Sequence, residues 1–200
     1  MVTNSLWIKG TEIPTSSHPE IKKLKRKTKV QSLHGNKVWD TSMVMIDILD
    51  ELGVIDTKVL DLGCGWGALT HYLQKQGADT TGMDGDKEVK PYFDLMSKLM
   101  NIKPNFILQD IFKKPLPLDY DTYIASDMCF WYSQIENWIE VIKYLTSNDK
   151  QLLIADPGRD SFWKLLDKLS NGKHDVPFDW VRHHIKEPKK TDAYIVIFGE

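Results

Sequence analysis

The run Asp61-Leu62-Gly63-Cys64-Gly65-Trp66-Gly67 follows a short apolar stretch, Lys58-Val59-Leu60, and leads into a helical pattern that begins near Ala68. Three glycines at alternate positions remove Cβ where an extended strand must turn sharply into a helix. The backbone there can adopt φ values costly for other residues and can approach a ligand closely. The helix that follows offers free N–H groups and the positive end of its dipole to that ligand. A strand, a glycine turn and a helix in this order are the opening unit of a parallel sheet with crossover helices.

The rest of the chain keeps that alternation. Met45, Ile48, Leu49 and Leu52 lie at helical spacing between Asp40–Ser42, which offer N-caps, and Gly53, which closes the helix. After the glycine run come a helix over about 68–76 stopped by Gly77, a strand over 79–83, and a helix carrying Val89, Tyr92, Phe93, Met96, Leu99 and Met100, with Pro91 confined to its first turn. A third strand follows Pro104. Residues 111–119 contain two prolines and no helical period, so the crossover there shortens to a loop. Residues 120–126 predict a fourth strand, Ile135 to Leu145 a helix, 151–155 a fifth strand, and Phe162 to Leu169 a helix ending at Asn171-Gly172. Two last strands, near 178–185 and 193–198, form a hairpin around a Pro/Lys turn. Parallel strands with helices on both faces, plus one antiparallel strand at the C-terminus, are the expected result.

Gly63, Gly65 and Ala68 also satisfy the G-x-G-x-x-G/A dinucleotide pattern, so a nicotinamide-dependent oxidoreductase is an alternative reading of the same loop. Asp61 argues otherwise, because the position two before the first glycine of that fingerprint usually continues an apolar strand. Two further strands also end in acids: Thr80-Thr81-Gly82-Met83-Asp84 and Phe106-Ile107-Leu108-Gln109-Asp110. On a parallel sheet all three carboxylates fall on one edge, where such sheets bind ligands at the reversal of strand order. D-x-G-x-G-x-G followed by these two acid-ended strands resembles the class I S-adenosylmethionine (SAM)-dependent methyltransferases. The resemblance covers roughly residues 33–200. It implies a Rossmann-like α/β fold, doubly wound, with a mostly parallel seven-stranded sheet and a C-terminal antiparallel hairpin.

The resemblance also implies a cofactor set. Asp84 would accept hydrogen bonds from both ribose hydroxyls, a charge-assisted arrangement; Asp110 would accept from the adenine amino group beside the backbone of Ile111; and Asp61 would lie near the methionine ammonium. Gly63, Cys64, Gly65, Gly67 and Gly85 would supply backbone around the cofactor, and Trp39 would cover it. Strand-end acids also cap helices, so each of these has a structural alternative. His34-Gly35-Asn36-Lys37-Val38-Trp39-Asp40 with its following helix is similar to the pre-core segment of the seven-strand protein lysine methyltransferases, a group that includes the electron-transfer-flavoprotein β-subunit enzyme. Asp127-Met128-Cys129-Phe130 matches their D-x-x-F/Y motif, and Asp156-Pro157-Gly158-Arg159 resembles that group and its nicotinamide-methyltransferase-like relatives. The shortened segment before the fourth strand and the basic N-terminus depart from the pattern.

These strings imply methyl transfer to a protein lysine or a small-molecule amine, with Asp127 as the candidate catalytic residue and His34, Phe130 and Trp131 as further acceptor-side candidates. Asp127 would position an amine or stabilise the cationic product, and aromatic faces would interact with that cation. For the aromatics, ordinary packing stands beside the pocket role. The element Asn/Asp-Pro-Pro-Tyr/Phe is absent after the fourth strand, which turns the reading away from nucleobase N-methylation. A SAM-binding protein without turnover is a third alternative. Arg159 at a helix start opposes the dipole and needs a partner; a structural salt bridge with a carboxylate such as Asp156 is the expectation. His174, Asp175, His183 and His184 show no ligand spacing, and no metal site is expected.

Two hundred residues suffice for one domain with a proper core, and a net charge of −2 argues against a dedicated nucleic-acid binder. The charge is uneven: residues 21–30 hold six Lys and Arg and no acid. Residues 1–32 are therefore expected as a basic N-terminal arm ahead of a methyltransferase domain over 33–200. The arm would be a solvated helix face, a mobile segment, or a surface that attracts an acidic macromolecule. Two cysteines make no disulfide framework, the N-terminus lacks a signal-peptide pattern, and no apolar run can span a membrane, so a cytoplasmic location is expected.

Overall fold

A computed structural model describes residues 4–28, 32, 35–53, 57–171, 174 and 176–199. Seven strands form one sheet in the order β5 (Asn105–Leu108), β4 (Asp79–Asp84), β3 (Lys58–Leu62), β6 (Thr122–Ser126), β7 (Gln151–Asp156), β9 (Thr191–Phe198), β8 (Phe178–Ile185). The first five are parallel; β9 runs antiparallel to β7 and to β8. The chain winds outward from β3 through β4 to β5, then returns to β6 on the other side of β3. Order thus reverses between β3 and β6, and the glycine loop leaves the carboxyl end of β3 at that crevice.

Period-two alternation along the central strands separates two cores. Val59, Ile124, Leu153 and Ala155 face one side, where they meet α2 (Asp40–Leu52), α3 (Ala68–Gln76) and α4 (Lys90–Met100). Leu60, Leu62, Tyr123, Ala125, Leu152 and Ile154 face the other, under α5 (Ile135–Thr146) and α6 (Asp160–Ser170). Helix ends follow local chemistry: Gly53 and Gly77 close α2 and α3 in the left-handed region, at φ 67° and 109°. Trp39, rather than a residue of 40–42, is the N-cap of α2. The loop expected over 111–119 is present, and it buries Ile111 and Leu116 in the second core. The hydroxyls of Tyr123 and Tyr144 donate to the carbonyls of Pro117 (2.5 Å) and Leu116 (3.2 Å), so side-chain donors hold the loop where a crossover helix would hold itself.

Residues 4–28 contain an element that the sequence reading did not foresee. β1 (Ser5–Ile8) and β2 (Thr11–Pro14) form an antiparallel hairpin around Lys9 and Gly10, both at positive φ as a type I′ turn requires. α1 (Pro19–Lys27) follows. Ile8, Ile13 and Ile21 are buried in the same core as α2 and α3, so this segment is packed on the domain along its apolar side. Lys22, Lys23, Arg26 and Lys27 remain on the exposed side of α1, the solvated helix face among the expectations for the basic stretch. The Lys9 ammonium lies 3.0 Å from Asp47 and 3.5 Å from Asp50 on α2, and His183 of β8 meets Asp47 at 2.7 Å.

Because Ile13 is fully buried between the hairpin and the main domain, Ile13→Ala should destabilise the whole protein by about 2–5 kcal/mol, the usual range for such a truncation. Urea unfolding should show one transition with a lower midpoint. A separate early transition of the hairpin, with the main midpoint unmoved, is the contrary outcome.

Candidate functional site

The three loop glycines have different physical reasons. Gly63 (φ 71°) donates its N–H to Met83 O at 2.8 Å, and a Cβ on it would lie 2.1 Å from Met128 Sδ. Gly67 (φ 76°) is the N-cap of α3, and a Cβ there would meet the Phe93 ring at 2.5 Å. A side chain at either position would have to displace Met128 or the Phe93 ring, and the left-handed backbone would strain it. Gly65 (φ 54°) differs: its nearest neighbour would be Gly35 Cα at 3.9 Å, so a side chain there would project into the open cleft. That cleft has a volume of about 220 Å³ and is lined from the glycine loop, the β4 and β6 ends and the segment before α2.

The strand-end acids hold the loop as well as face the cleft. Asp84 Oδ2 accepts from the N–H of Gly65 at 2.9 Å, and its Oδ1 from Asp86 N–H at 2.8 Å. Burial, with Asp86 and Asp110 nearby, raises its affinity for a proton. Asp61, almost fully buried, accepts from Thr70 Oγ1 at 2.5 Å and so ties β3 to α3. Burial pushes its pKa up to about 7, with Asp84 adding to the effect and the Thr70 bonds opposing it. The cleft lining carries four carboxylates, Asp61, Asp84, Asp86 and Asp127, against one cation, Lys37, among the described residues. Such a lining favours a positively charged ligand and disfavours a pyrophosphate.

Asp110, Gly85 and Ile111 are placed beside this group and do not line the cleft. Asp110 accepts from Phe112 N–H at 3.0 Å and pairs with Lys113 at 3.0 Å; Gly85 backs directly onto Asp110; Ile111 belongs to the second core. Cys64 lines the cleft, and burial with Asp61 and Asp84 close by raises its thiol pKa well above the ordinary value. Cys129 is buried and likewise shifted upward by burial.

Trp66 and Lys25 are structural parts of the site that sequence reasoning passed over. Trp66 is buried and stacks on Tyr92 (4.9 Å, 8°), and its Nε1–H donates to Gly35 O at 2.8 Å. Lys25 Nζ donates to Asn36 O at 2.9 Å and stands 5.1 Å over the Trp66 ring; burial lowers its pKa. The segment before α2 is thus fastened both to the glycine loop and to α1. A Trp inside a glycine turn, with a Lys at one helical face upstream, was the available signal. Trp39 reaches the cleft, meets Phe130 edge-on at 5.7 Å and carries Lys37 Nζ at 4.2 Å over its ring.

At the β6 end, Asp127, Phe130 and Trp131 all line the cleft, with Gln134 beside them. Asp127 is buried, at φ 59°, and pairs with Arg159, whose guanidinium also donates to Asp156 at 2.6 Å and lies 4.2 Å over the Phe130 ring. The salt bridge expected for Arg159 therefore exists and includes Asp127 as a second partner. His34 and Asp175 lie outside the described residues. Asp47, Glu51 and His183 group closely enough to hold a cation, away from the cleft, yet the Lys9 ammonium already pairs with Asp47 there. His183, given no partner from sequence, belongs to this staple, and His184 pairs with Asp192 at 2.9 Å. Among the described residues no helix is long and apolar enough to cross a membrane.

Comparison with known proteins agrees with this geometry. Residues 59–148 match the family described as "Methyltransferase domain". The "Probable S-adenosyl-L-methionine-dependent methyltransferase TehB" of Haemophilus influenzae is 29% identical over 109 residues, covering 54% of this chain and 38% of that protein. The "Ubiquinone biosynthesis O-methyltransferase" of Psychrobacter cryohalolentis is 28% identical over 142 residues, covering 62% and 54%. The chain thus spans about half or less of the length of these curated relatives. Among solved structures, magnesium protoporphyrin IX methyltransferase of Synechocystis with bound SAM superposes with a TM-score of 0.59 at 18% identity over 92% of this chain and 93% of that one. The fold is the Rossmann-like class I methyltransferase fold, and residues 59–148 match a methyltransferase domain.

Asp61 makes a prediction about pH. A carboxyl whose folded pKa is raised from 3.8 to about 7 contributes stability that is present below pH 3.8 and lost as pH rises toward and through about 7. Relative to Asp61→Asn, wild-type protein should lose unfolding free energy between pH 4 and 7.5, by up to about 1.4 kcal/mol per pH unit. Urea titrations of both proteins across that range check it, and parallel curves would place Asp61 in a more solvated setting.

Proposed function

We propose that the chain is a working methyltransferase that transfers the methyl group of SAM to a nitrogen, on a protein lysine or a small-molecule amine. The observation that carries this is the cleft lining: four carboxylates around a glycine loop suit a cofactor bearing a sulfonium and an ammonium. Against the nicotinamide alternative stands Asp61 at the end of β3, which would face a pyrophosphate; Asp84 would serve a ribose in either reading. Gly65 leaves room for the cofactor, and Asp84 keeps acceptor capacity for the ribose beyond its bonds to Gly65 and Asp86. Asp61 would meet the methionine ammonium, with Trp39 as a wall. In this reading Asp110 and Ile111 would serve adenine from beside the cleft, Asp110 through capacity beyond its present partners. Cys64, Gly63, Gly67 and Gly85 shape the backbone around them.

SAM supplies an activated methyl: the acceptor lone pair forms the C–N bond as the C–S bond breaks, S-adenosylhomocysteine leaves as a neutral thioether, and the alkylated nitrogen sheds its proton to water. The protein's part is to hold the acceptor in line, for which proximity supplies up to about 10 kcal/mol. Asp127, Phe130 and Trp131 are placed to do so. The lysine assignment rests on the resemblance of residues 34–49 and 127–130. Relatives named as O-methyltransferases favour an oxygen acceptor as the second reading. The two free thiols fit a reducing compartment, and we place the protein in the cytoplasm.

Methyl-labelled SAM incubated with the protein and, separately, with the proteins and the small molecules of a lysate tests the proposal. Label should appear in one pool, at nitrogen. Label at oxygen supports the second reading, and binding of SAM without turnover makes the protein a SAM binder. Gly65→Val should abolish S-adenosylhomocysteine binding in calorimetry, because the branched side chain enters the cleft; normal affinity in the folded variant would misplace the cofactor.

The exposed face of α1 is proposed to attract an acidic acceptor macromolecule. Replacing Lys22, Lys23, Arg26 and Lys27 with Gln, and sparing Lys25, should raise the apparent KM for a protein acceptor with SAM affinity unchanged. Added salt should weaken the wild type more than this variant, since exposed charges are screened over about 8–10 Å at 0.10–0.15 M ionic strength. Equal salt responses would leave the face as solvated surface.

A further inference from the structure

The charges at the β6 and β7 ends do not balance. Arg159 Nη2 donates to Asp127 Oδ1, and Nη1 donates to Asp156 Oδ2 at 2.6 Å. Asp156 is fully buried, and its Oδ1 also accepts from the backbone N–H groups of Gly158 (2.9 Å) and Arg159 (2.7 Å). The guanidinium plane is held from below by the Phe130 ring. Asp156 and Phe130 thus fix Arg159, and Arg159 fixes Asp127 Oδ1. Asp127 is further constrained by its left-handed backbone and by its N–H, which donates to Ala155 O at 2.9 Å. With Oδ1 committed, Oδ2 is the oxygen left to meet a ligand in the cleft that Asp127 lines.

We infer that Arg159 is a positioning residue, which acts through Asp127 to build an ammonium-recognising end of the cleft. Two buried carboxylates against one guanidinium leave one net negative charge there, and a cationic nitrogen beside Asp127 balances it. Such a pre-oriented charge acts on positive charge that develops at the acceptor nitrogen, with no reorganisation at that moment. Arg159 itself is spent on two carboxylates and so does not bind an acidic group of the acceptor. Met128, next to Asp127, lies against Gly63, so this end adjoins the glycine loop. The inference rests on the SAM reading and names the acceptor class within it: amines that carry positive charge before or after transfer.

The test needs no identified acceptor. Sinefungin carries a protonatable amine on the carbon that replaces the sulfonium, whereas S-adenosylhomocysteine has a neutral thioether. The ratio of their Kd values, measured by calorimetry, reports how the site treats an ammonium at the transfer point. Wild-type protein should prefer sinefungin by roughly tenfold, the scale of one charge-assisted hydrogen bond. Asp127→Asn, in which Arg159 keeps Asp156 as partner, should lose that preference, read as the ratio of the two Kd values. Arg159→Gln should lose it too, and Arg159→Lys should restore part of it. The double variant Asp127→Asn/Arg159→Gln should match Asp127→Asn alone. A wild-type ratio in Arg159→Lys and Arg159→Gln, additive losses in the double variant, or no change in Asp127→Asn would each overturn the inference. If Arg159→Gln does not fold, Asp127→Asn and Arg159→Lys still decide. Failure of wild-type protein to bind S-adenosylhomocysteine at all would instead remove the SAM reading.

Discussion

The bond from Gly65 N–H to Asp84 Oδ2 is the contact on which the cleft depends. It links the loop after β3 to the end of β4, so the turn is closed by a neighbouring strand and its shape is fixed by sheet register. The carbonyl of Met83 adds two more bonds, to Gly63 and Cys64 N–H. Asp61 performs the matching task on the other side through Thr70. The same two carboxylates that give the cleft its negative lining are therefore the ones that hold it in shape, and neither is matched by a cation among the described residues of that lining other than Lys37. Burying them raises their affinity for protons, and a cationic ligand would offset that burial.

From this closed turn the covering segment follows. Trp66 in the loop donates to Gly35 O, and Gly35 could not pack against Val89 with any side chain, since a Cβ would lie 2.3 Å from Val89 Cγ1. Lys25 then completes a chain of contacts from α1 through Asn36 to Trp66. A cation in the most basic stretch of the chain is thus half-buried and structural, while its neighbours Lys22, Lys23, Arg26 and Lys27 are exposed.

Most of the fold was legible because its signals are local and periodic. The helices at 40–52, 68–76, 135–146 and 160–170 and the strands at 79–84, 178–185 and 191–198 follow apolar spacing with glycine or proline punctuation. The missing crossover before β6 was readable from two prolines. The hairpin at residues 5–14 was not, because Lys9-Gly10 is a weak turn signal and four-residue strands carry little alternation. Asp61, Asp84 and Asp127, singled out by position at strand ends, and Gly65, singled out by the glycine turn, line the cleft. Asp110 was assigned to the same group, yet its carboxylate turns to Phe112 and Lys113, a choice of side-chain direction that spacing does not encode. The bridging of Arg159 between Asp127 and Asp156 joins residues 32 positions apart, a separation that only the adjacency of β6 and β7 closes.

Cys64 sits in the loop, and burial, with Asp61 and Asp84 close by, pushes its thiol pKa well above the ordinary value. Thiolate is the form that peroxides and electrophiles attack, so this sulfur is a poor target for oxidants although it borders a solvent-connected cleft. A sulfenate or mixed disulfide at that position would block the cleft. Burial, helped by the acids that shape the turn, therefore also disfavours the reactive form of this sulfur.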